Sequence, residues 1–137
     1  MKRAIRRAIL LIDHGSRRQE ANATLLGVAE LVRRQRPDVH VEIAHMELAE
    51  PNIQQGFAAC VEAGAEEIVV HPYMLSPGRH ATSDIPTLVA AAAERYPEVR
   101  YGVSAPLGLH PLMADVILDR VEETDLRSVD DQLPCAE

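Results

Sequence analysis

A chain of 137 residues suits one compact domain and is too short for two. Apolar residues at 47% and charged residues at 26% are ordinary for a globular protein and exclude wholesale disorder. A net charge of −7, with no Trp, one Phe and three Tyr, gives nucleic acid neither a basic surface nor a stacking platform.

Residues 8–12 read as a continuous apolar strand buried on both faces. A basic start (Lys2, Arg3, Arg6 and Arg7) precedes it, but five apolar residues before Asp13 are fewer than the about 7–15 of a signal-peptide core. A cytoplasmic address is therefore expected. No apolar run approaches the roughly 18 residues of a membrane span, so no membrane partner is expected. Helix follows over about residues 20–36, with Leu25, Val28, Ala29 and Val32 on one stripe, and Pro37 ends it. Residues 39–44 alternate as a second strand. Pro51 suits a first helical turn, Ile53, Phe57, Cys60 and Val61 form a helical face, and Gly64 suits the position after the helix end. Residues 68–70 form a third strand. A helix over 83–96 buries Ile85, Leu88, Val89 and Ala92 and stops at Pro97. Residues 99–104 make the fourth strand, and Pro111 opens a last helix whose Met113, Val116 and Ile117 are expected to face the core. Residues 124–137 are acidic, lack periodicity and are expected to fray, leaving 1–123 as the single folded domain.

This alternation predicts an α/β domain, a parallel four-stranded sheet with helices on both faces. In such sheets ligands bind beyond the carboxyl ends of the strands, where strand order reverses. Five of the six histidines (14, 45, 71, 80 and 110) fall after predicted strands, and only His40 lies within one. Neither G-x-G-x-x-G nor G-x-x-x-x-G-K-[ST] occurs, so nucleotide phosphates are not cradled in either familiar way. No G-x-S-x-G elbow is present and Cys60 falls within a helix, which leaves Ser or Cys nucleophilic chemistry unsupported. Cys60 and Cys135 form no C-x-x-C pair. Imidazole, carboxylate and arginine remain. That set suits metal handling or proton transfer.

Four segments occur in order: His14-Gly15-Ser16-Arg17, Met46-Glu47 with Glu50-Pro51, the stretch 76–86 with Gly78, His80 and Asp84-Ile85-Pro86, and His110-Pro111-Leu112-Met113. Together they resemble the short form of the sirohydrochlorin chelatases, class II chelatases that insert cobalt, iron or nickel into a modified tetrapyrrole. The likeness runs from about residue 9 to residue 121. It implies a flavodoxin-like, chelatase-type half and an ATP-independent lyase of sirohaem or cobalamin-type biosynthesis. By the same resemblance His14 is a metal ligand and the proton acceptor, His80 is the second metal ligand, and Glu50 contacts substrate. Leu75, Ser76, Pro77, Gly78 and Arg79 are implied to line the tetrapyrrole. No organic cofactor is implied: Co²⁺, Fe²⁺ or, with less support, Ni²⁺ is a substrate. Sirohydrochlorin is the organic substrate, and pairing as a homodimer is expected.

The chemistry agrees with the residue types. A His titrating near pH 6.5 accepts a pyrrole proton at cellular pH. Two protein ligands leave coordination positions open, as transfer requires. Arg17, Arg18 and Arg79 suit the substrate's carboxylates through charge-assisted hydrogen bonds. Glu47 is the rival carboxylate, while Glu50 equally suits the cap of its helix. His71 departs from the family pattern and reads as a buried, hydrogen-bonded His ahead of a third ligand. Asp84 reads as a helix N-terminal acid. Two other functions stay open: a metal or tetrapyrrole carrier without turnover, and, more weakly, phosphoryl transfer through His14, against which Asp13 would repel phosphate.

Overall fold

The computed structural model describes residues 6–130; Lys2, Arg3, Cys135 and the end of the acidic tail lie outside them. Four strands, β1 (Arg7–Asp13), β2 (His40–His45), β3 (Glu67–Pro72) and β4 (Arg100–Val103), form one parallel sheet in the order β2-β1-β3-β4. The chain leaves β1 for one edge and returns across it to reach β3, so strand order reverses between β1 and β3. Ala8 to Asp13 pair with His40 to His45, and Arg7 to Ile12 pair with Glu67 to Pro72.

Strand alternation sends Ala8, Leu10 and Ile12, with Ile68 and Val70, to one face. There they meet Phe57 and Cys60 of α2 (Ile53–Glu62) and Ile85 and Val89 of α3 (Ile85–Ala93), all fully buried. Leu11, Val41 and Ile43 take the other face and pack on Leu25 and Ala29 of α1 (Gln19–Gln35). The apolar stripes and turn residues thus form the elements the sequence predicts, with most ends shifted by a residue or two; α3 stops at Ala93 rather than residue 96, and Leu88, expected inward, is exposed.

Three expectations change. Pro51 stands before α2 rather than in its first turn, and its peptide bond with Glu50 is cis. The cap is Asn52, whose Oδ1 accepts from the Gln55 amide while Gln55 Oε1 accepts from the Asn52 amide, both at 2.8 Å, so Glu50 does not cap the helix. The third helix starts earlier than residue 83, because a π-helical turn (His80–Asp84) runs into α3. Most consequentially, α4 (Leu112–Glu122) buries no residue, and Val116 and Ile117 are exposed, with only Met113 partly covered. Helices therefore cover both faces, but α4 lies on neither.

Candidate functional site

The β1–β3 reversal is where two loops come together. The first, Asp13-His14-Gly15, is stitched to the β2 side by Met46 N donating to Asp13 O (2.9 Å) and Glu47 N donating to His14 O (3.1 Å). On the other side Tyr73 N donates to Ile12 O at 2.7 Å, carrying β3 pairing past the strand end. Asp13 Oδ1 accepts from the Gly15 amide (3.0 Å) and contacts Nδ1 of the buried His45 (2.6 Å). Gly15 sits at φ +88°, where a Cβ would lie 1.8 Å from Glu47 O, so only glycine fits this turn. The backbone that presents His14 is held on three sides.

The second loop, 73–79, leads into the π-helical turn that carries His80. Thr82 N and Oγ1 both donate to Gly78 O, at 2.9 and 2.8 Å, closing the start of that turn. Leu107 N and Gly108 N donate to Met74 O and Leu75 O, both at 2.9 Å, and pin the loop from the β4 side. π-helical turns are rare and gather at functional sites. Here one brings the His80 ring edge-on to the His14 ring, with centroids 4.9 Å apart. The two histidines are 66 positions apart in sequence and adjacent in space.

Nδ1 of His80 contacts Asp84 Oδ2 at 2.8 Å. That partner suits a ring with Nδ1–H donating, which leaves the Nε2 lone pair available to coordinate a metal or accept a proton. Metal–imidazole bonds are about 2.0–2.1 Å, so two rings this close suit one shared ion. Among the described residues no group of three or more His, Cys, Asp or Glu side chains gathers to hold a metal, so the pair forms an open set. A closed structural site would need four ligands.

A cleft of about 490 Å³ opens beside the pair, lined by His14, Tyr73, Met74, Leu75, Ser76, Gly78 and His80. The predicted residues separate around it. His14, Leu75, Ser76, Gly78 and His80 line it together, whereas Pro77 and Arg79 stand exposed on the same loop without lining it. Glu50 and Arg17 line a neighbouring cleft of about 740 Å³ with Ser16, His45 and Leu48, and Glu50 Oε2 accepts from Gln55 Nε2 at 3.1 Å. Glu47 is exposed and lines neither. Arg18 is exposed at the start of α1.

His71 is set apart from the pair. It is half-buried in β3 with Nδ1 2.9 Å from Ser104 Oγ, and burial lowers its pKa against a smaller opposing backbone hydrogen bond at Ala105. It is a packed, hydrogen-bonded histidine. Sequence reading missed two contributors: Tyr73 in the lining and Asp84 as the His80 partner. The i,i+4 spacing of His80 and Asp84 was the available signal.

The CbiX family model matches residues 8–124. The chain is 46% identical over 114 residues to the chloroplastic sirohydrochlorin ferrochelatase of Arabidopsis thaliana, covering 83% of this chain and 51% of that protein. Its fold is similar to the sirohydrochlorin chelatase SirB from Bacillus subtilis subspecies spizizenii in complex with cobalt: TM-score 0.80, 35% identity, 87% of this chain and 51% of that one. It is also similar to the CbiX protein from Marinobacter aquaeolei VT8, with TM-score 0.72 and 29% identity over 85% of this chain and 95% of that one. The chain spans about half the length of the first curated relatives it matches.

Proposed function

The chain belongs to the CbiX family, and from that premise we propose that it inserts a divalent metal, iron or cobalt, into sirohydrochlorin without ATP, in the cytoplasm and as a homodimer. The observation that carries this reading is the His14–His80 pair, 4.9 Å between ring centroids, at the mouth of the cleft formed by the 73–80 loop. The absence of a Walker-type phosphate loop from the sequence fits ATP independence.

Metallation releases two pyrrole N–H protons as the four ring nitrogens take up the metal. The site must hold an ion loosely and take up protons. His80 binds the ion through Nε2 while Asp84 holds its Nδ1 proton. His14 shares the ion until ring nitrogens displace it, and its freed lone pair then accepts one ring proton while the second passes to water. Tyr73, Met74 and Leu75 give the macrocycle an apolar wall. Arg79 on the loop and Arg17 on the rim of the adjoining cleft suit the carboxylates at its periphery. The start of the π-helical turn adds a partial positive charge on the same side.

Phosphoryl transfer through His14 has no such support: the Asp13 carboxylate next to it faces any phosphate with a like charge. The test is an anaerobic insertion assay with Fe²⁺, Co²⁺ and Ni²⁺ in parallel, read by the absorption change of sirohydrochlorin held in excess over protein. Multiple turnovers with iron or cobalt, lost in His14→Ala, are expected. Binding that stops at one equivalent would make the protein a carrier, and wild-type rates in His14→Ala would remove the histidine from the mechanism.

A further inference from the structure

The imidazole of His45 has one nitrogen engaged and one left over. Its side chain is 2% exposed, and Nδ1 lies 2.6 Å from Asp13 Oδ1. Nε2 has no partner among the described residues, yet no fully enclosed side-chain nitrogen or oxygen among them lacks one. The small open part of the ring is therefore at Nε2. His45 lines the cleft of about 740 Å³, so this nitrogen sits at the base of that cleft. A polar atom buried this deeply without a partner is the exception in a folded chain, and here it is turned toward space that a ligand can enter.

The groups around Nε2 decide what that ligand is. Asp13 suits a ring with Nδ1–H donating, which turns the Nε2 lone pair to the cleft. A carboxylate behind an imidazole is the usual support of a metal-binding histidine. His45 N donates to Pro51 O at 2.7 Å, which folds the chain after β2 back and brings Glu50 to the same cleft. Glu50 Oε2 accepts from Gln55 Nε2 at 3.1 Å, and Oε1 has no partner among the described residues. Glu42 lines the cleft too, but its carboxylate is paired with His40 Nε2. Arg17, the one arginine or lysine of the lining, is exposed, whereas His45 is buried. A neutral imidazole lone pair and a free carboxylate oxygen are the donors that a first-row divalent cation takes.

We propose that His45 Nε2 and Glu50 hold a second divalent cation, with water completing its coordination, between α1 and residues 48–51. This site is separate from the His14–His80 pair, because the two clefts share no lining residue. Asp13 links them: its carboxylate holds His45, and His14 is the next residue along the chain. No third His, Cys, Asp or Glu joins His45 and Glu50 among the described residues. Two protein donors make a weak, exchanging site, since a permanent structural ion takes four. An ion held in this way is a reserve of the metal to be inserted. That use rests on the chelatase reading, whereas the binding itself does not.

The test uses full-length protein from which the first pair has been removed. The double variant His14→Ala, His80→Ala is dialysed to equilibrium against Co²⁺ without oxygen and its metal content measured, with circular dichroism to confirm folding. One equivalent is expected to remain. Glu50→Gln, added to that background, keeps the acceptor for Gln55 and is expected to weaken binding about 10-fold or more. His45→Gln is expected to abolish it. Because His45→Gln also disturbs the Asp13 contact, wild type supplies a readout without substitution. Saturating Co²⁺ is expected to shift the methyl resonances of Ile43 and Leu48 in this cleft as well as those of Met74 and Leu75 in the other. Unshifted Ile43 and Leu48 would overturn the site, as would a folded double variant that binds no Co²⁺ or binding indifferent to both added substitutions. Each of these outcomes leaves the chelatase reading intact. Shifts at Ile43 and Leu48 in a protein that inserts no metal would keep the site and end its use as a reserve.

Discussion

His45 contacts Asp13 at 2.6 Å, Nδ1 to Oδ1, and this imidazole is the one buried polar or charged side chain among the described residues. The contact joins the ends of β1 and β2 immediately before His14. Asp13 Oδ1 also accepts the Gly15 amide, so one carboxylate sets the turn and is itself set by a residue 32 positions away. Removing either partner strands the other in a poorly hydrated place, which costs about 1–3 kcal/mol. His45→Leu and Asp13→Ala should each lower stability by about that amount in urea unfolding. The double variant should lose less than the sum, because the same contact is broken once. Co²⁺ affinity should fall in both, since His14 loses its fixed backbone.

Gly15→Ala tests the same turn from the backbone. The φ of +88° is strained for any L side chain, and the added methyl would sit 1.8 Å from a backbone oxygen that itself belongs to a tethered loop. Neither the alanine nor Glu47 has room to move without breaking the hydrogen bond from Glu47 N to His14 O. A loss of about 2 kcal/mol or more is expected from the unfolding midpoint. Gly78→Ala, where a Cβ meets nothing within 4 Å, should leave the midpoint nearly unchanged.

The sheet was legible because each strand and helix carries its own period and its own stop: Pro37, Pro97 and Gly64 mark ends that packing then respects. The histidine pair was legible because the end of a parallel strand is where ligands gather, and because the surrounding motifs resemble a family. Glu50 stands apart from the histidine pair for a geometric reason. It stands near the other candidates along the chain, yet the turn before α2 sends it to a neighbouring cleft. The case of α4 is different. Periodicity identifies which side of a helix is apolar and says nothing of whose surface covers it. Asp84 was hidden by sharing its position with ordinary helix-start acids, and only the π-helical turn makes it face His80.

Asp84→Asn isolates that last contact. The amide keeps the size and can still accept from Nδ1–H, but it lacks the charge that strengthens this contact and steadies the ring's orientation. Co²⁺ titration followed by visible absorption should show about 10–100-fold weaker binding, the range typical of such partners of ligating histidines. Thermal stability should barely change, because both side chains are partly exposed. A variant that binds Co²⁺ as well as wild type would remove Asp84 from the site.

His71 predicts a pH dependence whose sign follows from burial. Its folded-state pKa lies below the usual value, chiefly because desolvation penalises the charged ring. The unfolded chain then binds the proton more readily, so stability rises with pH in this range. The contribution is complete above the unfolded pKa of about 6.5 and is lost as pH falls toward the lower folded value. Wild type should therefore lose more melting temperature between pH 7.5 and pH 5 than His71→Asn, which keeps a polar group near Ser104 Oγ but cannot titrate. Comparing the two curves cancels the other groups that titrate in the same interval. Parallel curves would mean that His71 takes up its proton equally well folded and unfolded.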